Sequence, residues 1–123
     1  MRILVADDEL QICRLVRDVL EPSGHSVDSA KDGREFFQRY RMGDYSLLIL
    51  DTLLTELSGL ELVTRLRNGG DPVPIILMFG PRKQPRRMES LAHSYRVDLL
   101  RKPFGIGELR AAVSHALGEA RPD

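Results

Sequence analysis

The sequence predicts an α/β domain: five parallel strands alternating with five helices, a (βα)5 doubly wound sheet. Three observations carry this prediction. Short continuous apolar runs recur along the chain, helical stripes separate them, and Gly, Pro or charged residues stand at the junctions. A strand covered by helices on both faces reads as an apolar run without alternation, which is the pattern here. Regular strand–helix alternation leaves few topologies, all with right-handed crossovers.

Arg2 to Ala6 forms the first strand, with Ile3-Leu4-Val5-Ala6 apolar throughout. A helix follows, because Leu10, Cys13, Val16, Val19 and Leu20 share one face and Pro22 and Gly24 end it. His25 to Ala30 alternates, with Val27 and Ala30 apolar and Ser26 and Asp28 polar, which places the second strand at an edge. Phe36, Phe37 and Tyr40 mark the second helix, and Ser46 to Leu50 the third strand. Leu60, Leu62, Val63 and Leu66 mark a third helix that stops at Gly69-Gly70. Pro74 to Phe79 is the fourth strand; Met88, Leu91, Ala92 and Tyr95 mark the fourth helix. Val97 to Leu100 and the stripe Leu109, Ala112, Val113, Ala116 and Leu117 complete the set. The domain is expected over residues 1–118, with 119–123 a short tail or the start of a linker.

Composition narrows the function. A chain of 123 residues with 42% apolar content holds one domain, and a domain of this size buries roughly two-thirds of the surface its unfolded chain exposes. The single Cys13 excludes an internal disulfide framework and a cysteine-based zinc site, and reads as a small hydrophobe on the first helix. Asp7-Asp8-Glu9 interrupt the first apolar run where a signal-peptide core would continue. No run approaches the ~20 residues of a membrane span. The expected location is the cytoplasm, with no membrane partner.

Eighteen basic and eighteen acidic residues cancel, so net charge implies no nucleic-acid surface. The halves differ. Residues 1–60 hold seven basic and eleven acidic side chains, residues 61–123 eleven and seven, and residues 82–102 alone carry seven positive against two negative. The cluster at 82–87 lacks interleaved aromatics and a reading helix, so it is read as a solvated loop. His25, His93 and His115 show no ligand spacing and are read as surface or packing residues.

In such sheets, ligands bind beyond the carboxyl ends of the strands near the switch point. Asp7-Asp8 follow the first strand, Asp51 the third, and Arg101-Lys102-Pro103-Phe104 the fifth. Either Asp7 or Asp8 alone would serve as a helix cap. Capping does not account for three carboxylates at one edge, whose repulsion costs stability unless a cation sits among them. Oxygen-only ligands with open positions suit Mg²⁺, and a lysine suits a phosphoryl oxygen. The constellation points to magnesium-assisted phosphoryl chemistry on a carboxylate.

These residues resemble the receiver domains of bacterial two-component response regulators. The resemblance covers residues 1 to about 118 and rests on Ile3-Leu4-Val5-Ala6-Asp7-Asp8-Glu9, Leu48-Ile49-Leu50-Asp51, Ser58-Gly59-Leu60-Glu61-Leu62 and Lys102-Pro103-Phe104, in order and spacing. It implies a flavodoxin-like strand order 2-1-3-4-5 and a phosphorelay switch rather than an enzyme, at most phosphorylating itself from small donors and dephosphorylating itself. Asp51 is then the phosphoacceptor, served by a partner histidine kinase or phosphotransfer protein. Asp7, Asp8, Asp51 and the Leu53 backbone carbonyl would hold Mg²⁺. Lys102 and the Gly80 backbone would contact the phosphoryl group, and the peptide before Pro103 would be cis. An output protein, of acidic character, would bind the face made by the fourth helix, fifth strand and fifth helix.

The chain departs from the family at the switch. Phe79 stands where receivers usually carry Thr or Ser, Gly80 where Ala follows it, and Leu99 where Tyr or Phe is usual. Thr55 replaces the usual Pro of the loop after Asp51, and Gly80 to Arg87 form a loop with two prolines and four positive charges. Phe79 either packs as the end of a buried strand or interferes at the phosphoryl site. Two readings follow: a phosphoacceptor switch, favoured by Asp7, Asp8, Asp51 and Lys102, or a phosphorylation-independent pseudo-receiver acting as a constitutive interaction module, favoured by Phe79 and Leu99. A flavodoxin-like cofactor binder would need a Ser/Thr/Gly-rich loop where Asp7-Asp8-Glu9 stand, and a haloacid dehalogenase-type phosphatase would need Asp at Leu53. Both are rejected.

Overall fold

A computed structural model describes residues 1–54, 57–80 and 85–118. The expected Thr55 and most of the basic loop (residues 81–84) lie outside the described residues, as does the tail 119–123. The elements run β1 (Arg2–Ala6), α1 (Leu10–Leu20), β2 (Ser26–Ala30), α2 (Gly33–Met42), β3 (Leu47–Asp51), α3 (Gly59–Asn68), β4 (Ile75–Phe79), α4 (Pro85–Tyr95), β5 (Asp98–Arg101) and α5 (Ile106–Ala116), with a short 3-10 turn at Glu21–Ser23. All strand pairs are parallel and their order is β2-β1-β3-β4-β5. Strand β2 is an edge, as expected, but it does not alternate: Val27 and Ala30 are buried in opposite core layers, and the polar residues between them mark the edge. No described helix is long and apolar enough to cross a membrane.

Strand residues feed two core layers by parity. Leu48, Leu50, Ile75, Leu77 and Phe79 face α2, α3 and α4, where Phe36, Leu62, Val63, Leu66 and Met88 meet them. Ile3, Val5, Ile49, Ile76 and Met78 face α1 and α5, meeting Cys13, Val16, Val19, Leu109 and Val113. Both faces of β3 and β4 are therefore buried, which is why their sequences show no alternation.

Local chemistry sets the helix starts. The Asp32 side chain accepts from Glu35 N–H at 2.8 Å, and Ser58 Oγ from Glu61 N–H at 3.2 Å, capping α2 and α3. The first residue of α3 must be Gly59. A Cβ there would stand 2.1 Å from the carbonyl oxygen of Asp51, so only glycine lets α3 start against the end of β3.

At the opposite end of the sheet, Arg67 of α3 ties three segments together. Its guanidinium donates to the carbonyls of Tyr95 (2.7 Å), Arg96 (3.1 Å), Asp71 and Val73 (2.8 Å each). Arg96 holds a left-handed backbone, φ 56°, just past the end of α4. Asp71 accepts from Val73 N–H at 3.0 Å and from the Tyr40 hydroxyl of α2.

Replacing Gly59 by Ala forces the α3 start away from Asp51. The expected loss is roughly 1–3 kcal/mol of unfolding free energy, read from the urea midpoint. A midpoint equal to wild type would show that the contact yields without cost.

Candidate functional site

The carboxyl edge of the central strands gathers the acidic residues. Asp7 leaves β1 fully buried (0% exposed) and Asp51 ends β3 at 5% exposed, while Asp8 is exposed. One carboxylate oxygen from each lies within 4.8 Å of the others. Neither Asp7 nor Asp8 caps α1, whose N-cap is Glu9 without a side-chain bond. Asp7 Oδ1 instead accepts from Glu9 N–H at 2.9 Å, which fixes the carboxylate within the turn.

Lys102 enters from the loop after β5. Its ammonium donates to Asp7 Oδ2 at 2.6 Å and to Asp51 Oδ2 at 3.3 Å, with Glu9 Oε1 at 4.0 Å. Lys102 N–H donates to the Phe79 carbonyl at 2.8 Å, and the Lys102–Pro103 peptide is cis. Burial pushes the Asp7 carboxyl up to about 6, against the bonds from Lys102 and Glu9 N–H, and the nearby Asp51 charge adds to the rise. Burial disfavours the Lys102 ammonium, but the Asp7 and Asp51 carboxylates outweigh it and its pKa rises. Three carboxylates facing one ammonium leave about two units of uncompensated negative charge. An all-oxygen donor set with that excess fits a divalent cation of the magnesium type.

A cleft of about 440 Å³ opens above Asp51, lined by Gly80, Lys102 and Leu53 and by an apolar wall of Ile12, Leu15, Pro103 and Phe104. Phe79 does not line it. At 6% exposed, its ring belongs to the core layer that holds Leu77 and Met88, while Leu99 is half-buried on the same side. The packing reading of Phe79 describes where the ring sits. Cys13 is buried on α1, its thiol pushed up to about 11 by burial. Among the described residues, the three histidines join no metal-ligand group. Sequence reasoning passed over Thr52, which is 1% exposed with a hydroxyl that finds no partner among the described residues, directly beside Asp51. Following the last residue of β3, it reads in sequence as the start of a loop, so no signal marked it.

The profile of the response regulator receiver domain matches residues 3–114. The chain belongs to that family. Among curated relatives, the receiver is 37% identical over 115 residues to the uncharacterized transcriptional regulatory protein YkoG of Bacillus subtilis, covering 94% of this chain and 50% of that protein. It is 33% identical over 123 residues to the response regulator MprA of Mycobacterium leprae, covering 100% of this chain and 54% of that protein. The chain thus spans about half the length of the curated relatives it matches. The receiver domain of Francisella response regulator 1452 superposes with a TM-score of 0.84 at 26% identity, covering 98% of both chains. The response regulator TrrA of Thermotoga maritima, solved in complex with Mg²⁺ and BeF, gives 0.80 at 31% identity, covering 94% and 98%. Receivers are the phosphoacceptor components of two-component signalling and not enzymes in the usual sense.

Because the folded state holds Asp7 near 6 against an ordinary 3.8, ionising it opposes folding. Its contribution to stability is greatest below pH 4 and is lost as pH rises through about 6. Mg²⁺ should therefore stabilise the fold strongly at pH 8, by roughly 2.7 kcal/mol at ~100 times the dissociation constant, read as a rise in melting temperature, and progressively less below pH 6. Asp8→Asn should remove most of the effect. A thermal shift independent of pH and of Asp8 would place the cation elsewhere.

Proposed function

We propose that this receiver is a phosphorelay switch in which Asp51 takes a phosphoryl group from a phosphohistidine on a partner kinase or phosphotransfer protein. The observation that carries the reading is the Lys102 ammonium held between Asp7 and Asp51, at 2.6 and 3.3 Å. An Asp51 carboxylate oxygen attacks phosphorus while the phosphorus–nitrogen bond breaks, and the departing imidazole keeps the electron pair and takes up a proton. The product is an acyl phosphate. Lys102 stands ready to pair with the new phosphoryl oxygens, its charge and orientation held by Asp7. Gly80, on the cleft wall, offers a backbone N–H. When bound, Mg²⁺ would neutralise charge on the phosphoryl oxygens, held by Asp7, Asp8, Asp51 and the Leu53 carbonyl. The apolar wall of Ile12, Leu15 and Phe104 suits a partner helix that brings its phosphohistidine to the cleft. Output passes through the α4, β5 and α5 face to an acidic protein, since Arg86, Arg87, Arg96 and Arg101 are exposed there.

A small acyl-phosphate donor with Mg²⁺ should add one phosphoryl mass to the wild type and none to a folded Asp51→Asn variant. Labelling of that variant would move the nucleophile. No labelling of the wild type under any donor would favour the pseudo-receiver, a reading supported by the lack of a hydroxyl at Phe79 and of an aromatic ring at Leu99.

Within the switch reading, output is weakly coupled to phosphorylation. A hydroxyl bonded to a charged oxygen is worth roughly 1.5–3 kcal/mol, against about 5.5 kcal/mol needed to carry a two-state equilibrium from 1:99 to 99:1. Phe79 forfeits that bond, and Leu99 the aromatic partner. With a beryllofluoride mimic, wild-type NMR shifts should fade before reaching residues 86–100, and a Phe79→Thr/Leu99→Tyr variant should extend them. Equal spread in both proteins would rule weak coupling out.

A further inference from the structure

A groove of about 710 Å³ lies between α2 and α3 and shares no lining residue with the cleft above Asp51. Its floor is apolar: Phe37 and Leu57, both half-buried against the core. Its rim is basic. Arg34, Arg41 and Arg65 are exposed, and among the described residues none of them pairs with a carboxylate, whereas Glu35 is taken by Arg39 at 3.5 Å. The Arg65 guanidinium carbon stands 5.9 Å from the centre of the Phe37 ring, a cation–π contact that orients it over the groove.

Helical spacing explains the arrangement. Arg34, Phe37, Gln38 and Arg41 recur at intervals of three and four, so they form one stripe along α2. Three like charges stand around one apolar floor, and like charges so placed repel one another. Guanidiniums beside an aromatic surface are the side chains most used to anchor protein interfaces.

We propose that this groove docks an acidic amphipathic helix of a partner protein. Arg34 and Arg41 are seven residues apart, about 10 Å along the axis at 1.5 Å per residue. Carboxylates spaced two turns apart on the partner reach both arginines, and the apolar side chains between them lie on Phe37 and Leu57. The apolar floor favours a helix over a polyphosphate backbone, which would leave Phe37 and Leu57 uncovered. Docking here is independent of Asp51 chemistry, so it stands or falls apart from the phosphorelay.

The test titrates the isotopically labelled full chain with a synthetic amphipathic helix carrying Leu on one face and Glu on its flanks. Its Lys-flanked counterpart and vesicles of phosphatidylglycerol in phosphatidylcholine are run in parallel. The Glu peptide should shift the NMR signals of Arg34, Phe37, Arg41, Leu57 and Arg65, equally in wild type and Asp51→Asn. Arg34→Glu/Arg65→Glu should weaken binding at least about tenfold, and the milder Arg34→Gln/Arg65→Gln less, with circular dichroism verifying that both variants fold. The proposal is overturned if the Glu peptide fails to bind, if its shifts map elsewhere, or if the Lys peptide binds as well. Binding of the vesicles alone, lost on charge reversal, would overturn it in favour of an anionic membrane.

Discussion

Mutual repulsion among Asp7, Asp8 and Asp51, only partly relieved by Lys102, is the constraint around which the rest of this domain is arranged. Carboxylates so close are costly, and Asp7 shows the cost most directly, since it is fully buried and its proton is held up to about 6. Only a scaffold with its own large source of stability can hold such a cluster. Two core layers, filled from both faces of the central strands, are that source. The parallel arrangement brings β1, β3 and β5 to one edge, so residues 51 and 95 positions apart from their Lys102 partner meet there.

The same economy explains the small residues around the site. Gly59 lets α3 begin against the Asp51 carbonyl, and Gly33 lets α2 lie against Leu57, whose carbonyl oxygen would stand 2.5 Å from a Cβ. Residues 57–59, at the end of the loop after Asp51, are therefore held against two helix starts. Phe79 belongs to a different accounting: it adds apolar area beside Met88 and leaves no hydroxyl at the end of β4.

Most of the architecture was legible in the chain. Ile3 to Ala6, Leu47 to Leu50 and Ile75 to Phe79 are apolar without alternation because helices cover both faces, and β2 carries polar Ser26, Asp28 and Ser29 because it is an edge. Asp7, Asp51 and Lys102 were legible as a group because strand ends converge by topology, not by sequence proximity. Arg67 was not. Its partners are four backbone carbonyls, which any residue type supplies, so no pattern announces them. Thr52 escaped for a related reason: a lone hydroxyl after an apolar strand looks like the start of a loop until its burial is known.

Arg67 also has a mechanical consequence. By holding the Tyr95 and Arg96 carbonyls, it pins the C-terminal end of α4 to the α3–β4 connection, and Tyr40 braces that connection from α2 through Asp71. Arg67 therefore works as a strap rather than a packing residue: it joins the last turn of α4 to the α3–β4 connection through main-chain atoms alone, so side-chain changes at Tyr95 or Arg96 leave the join in place.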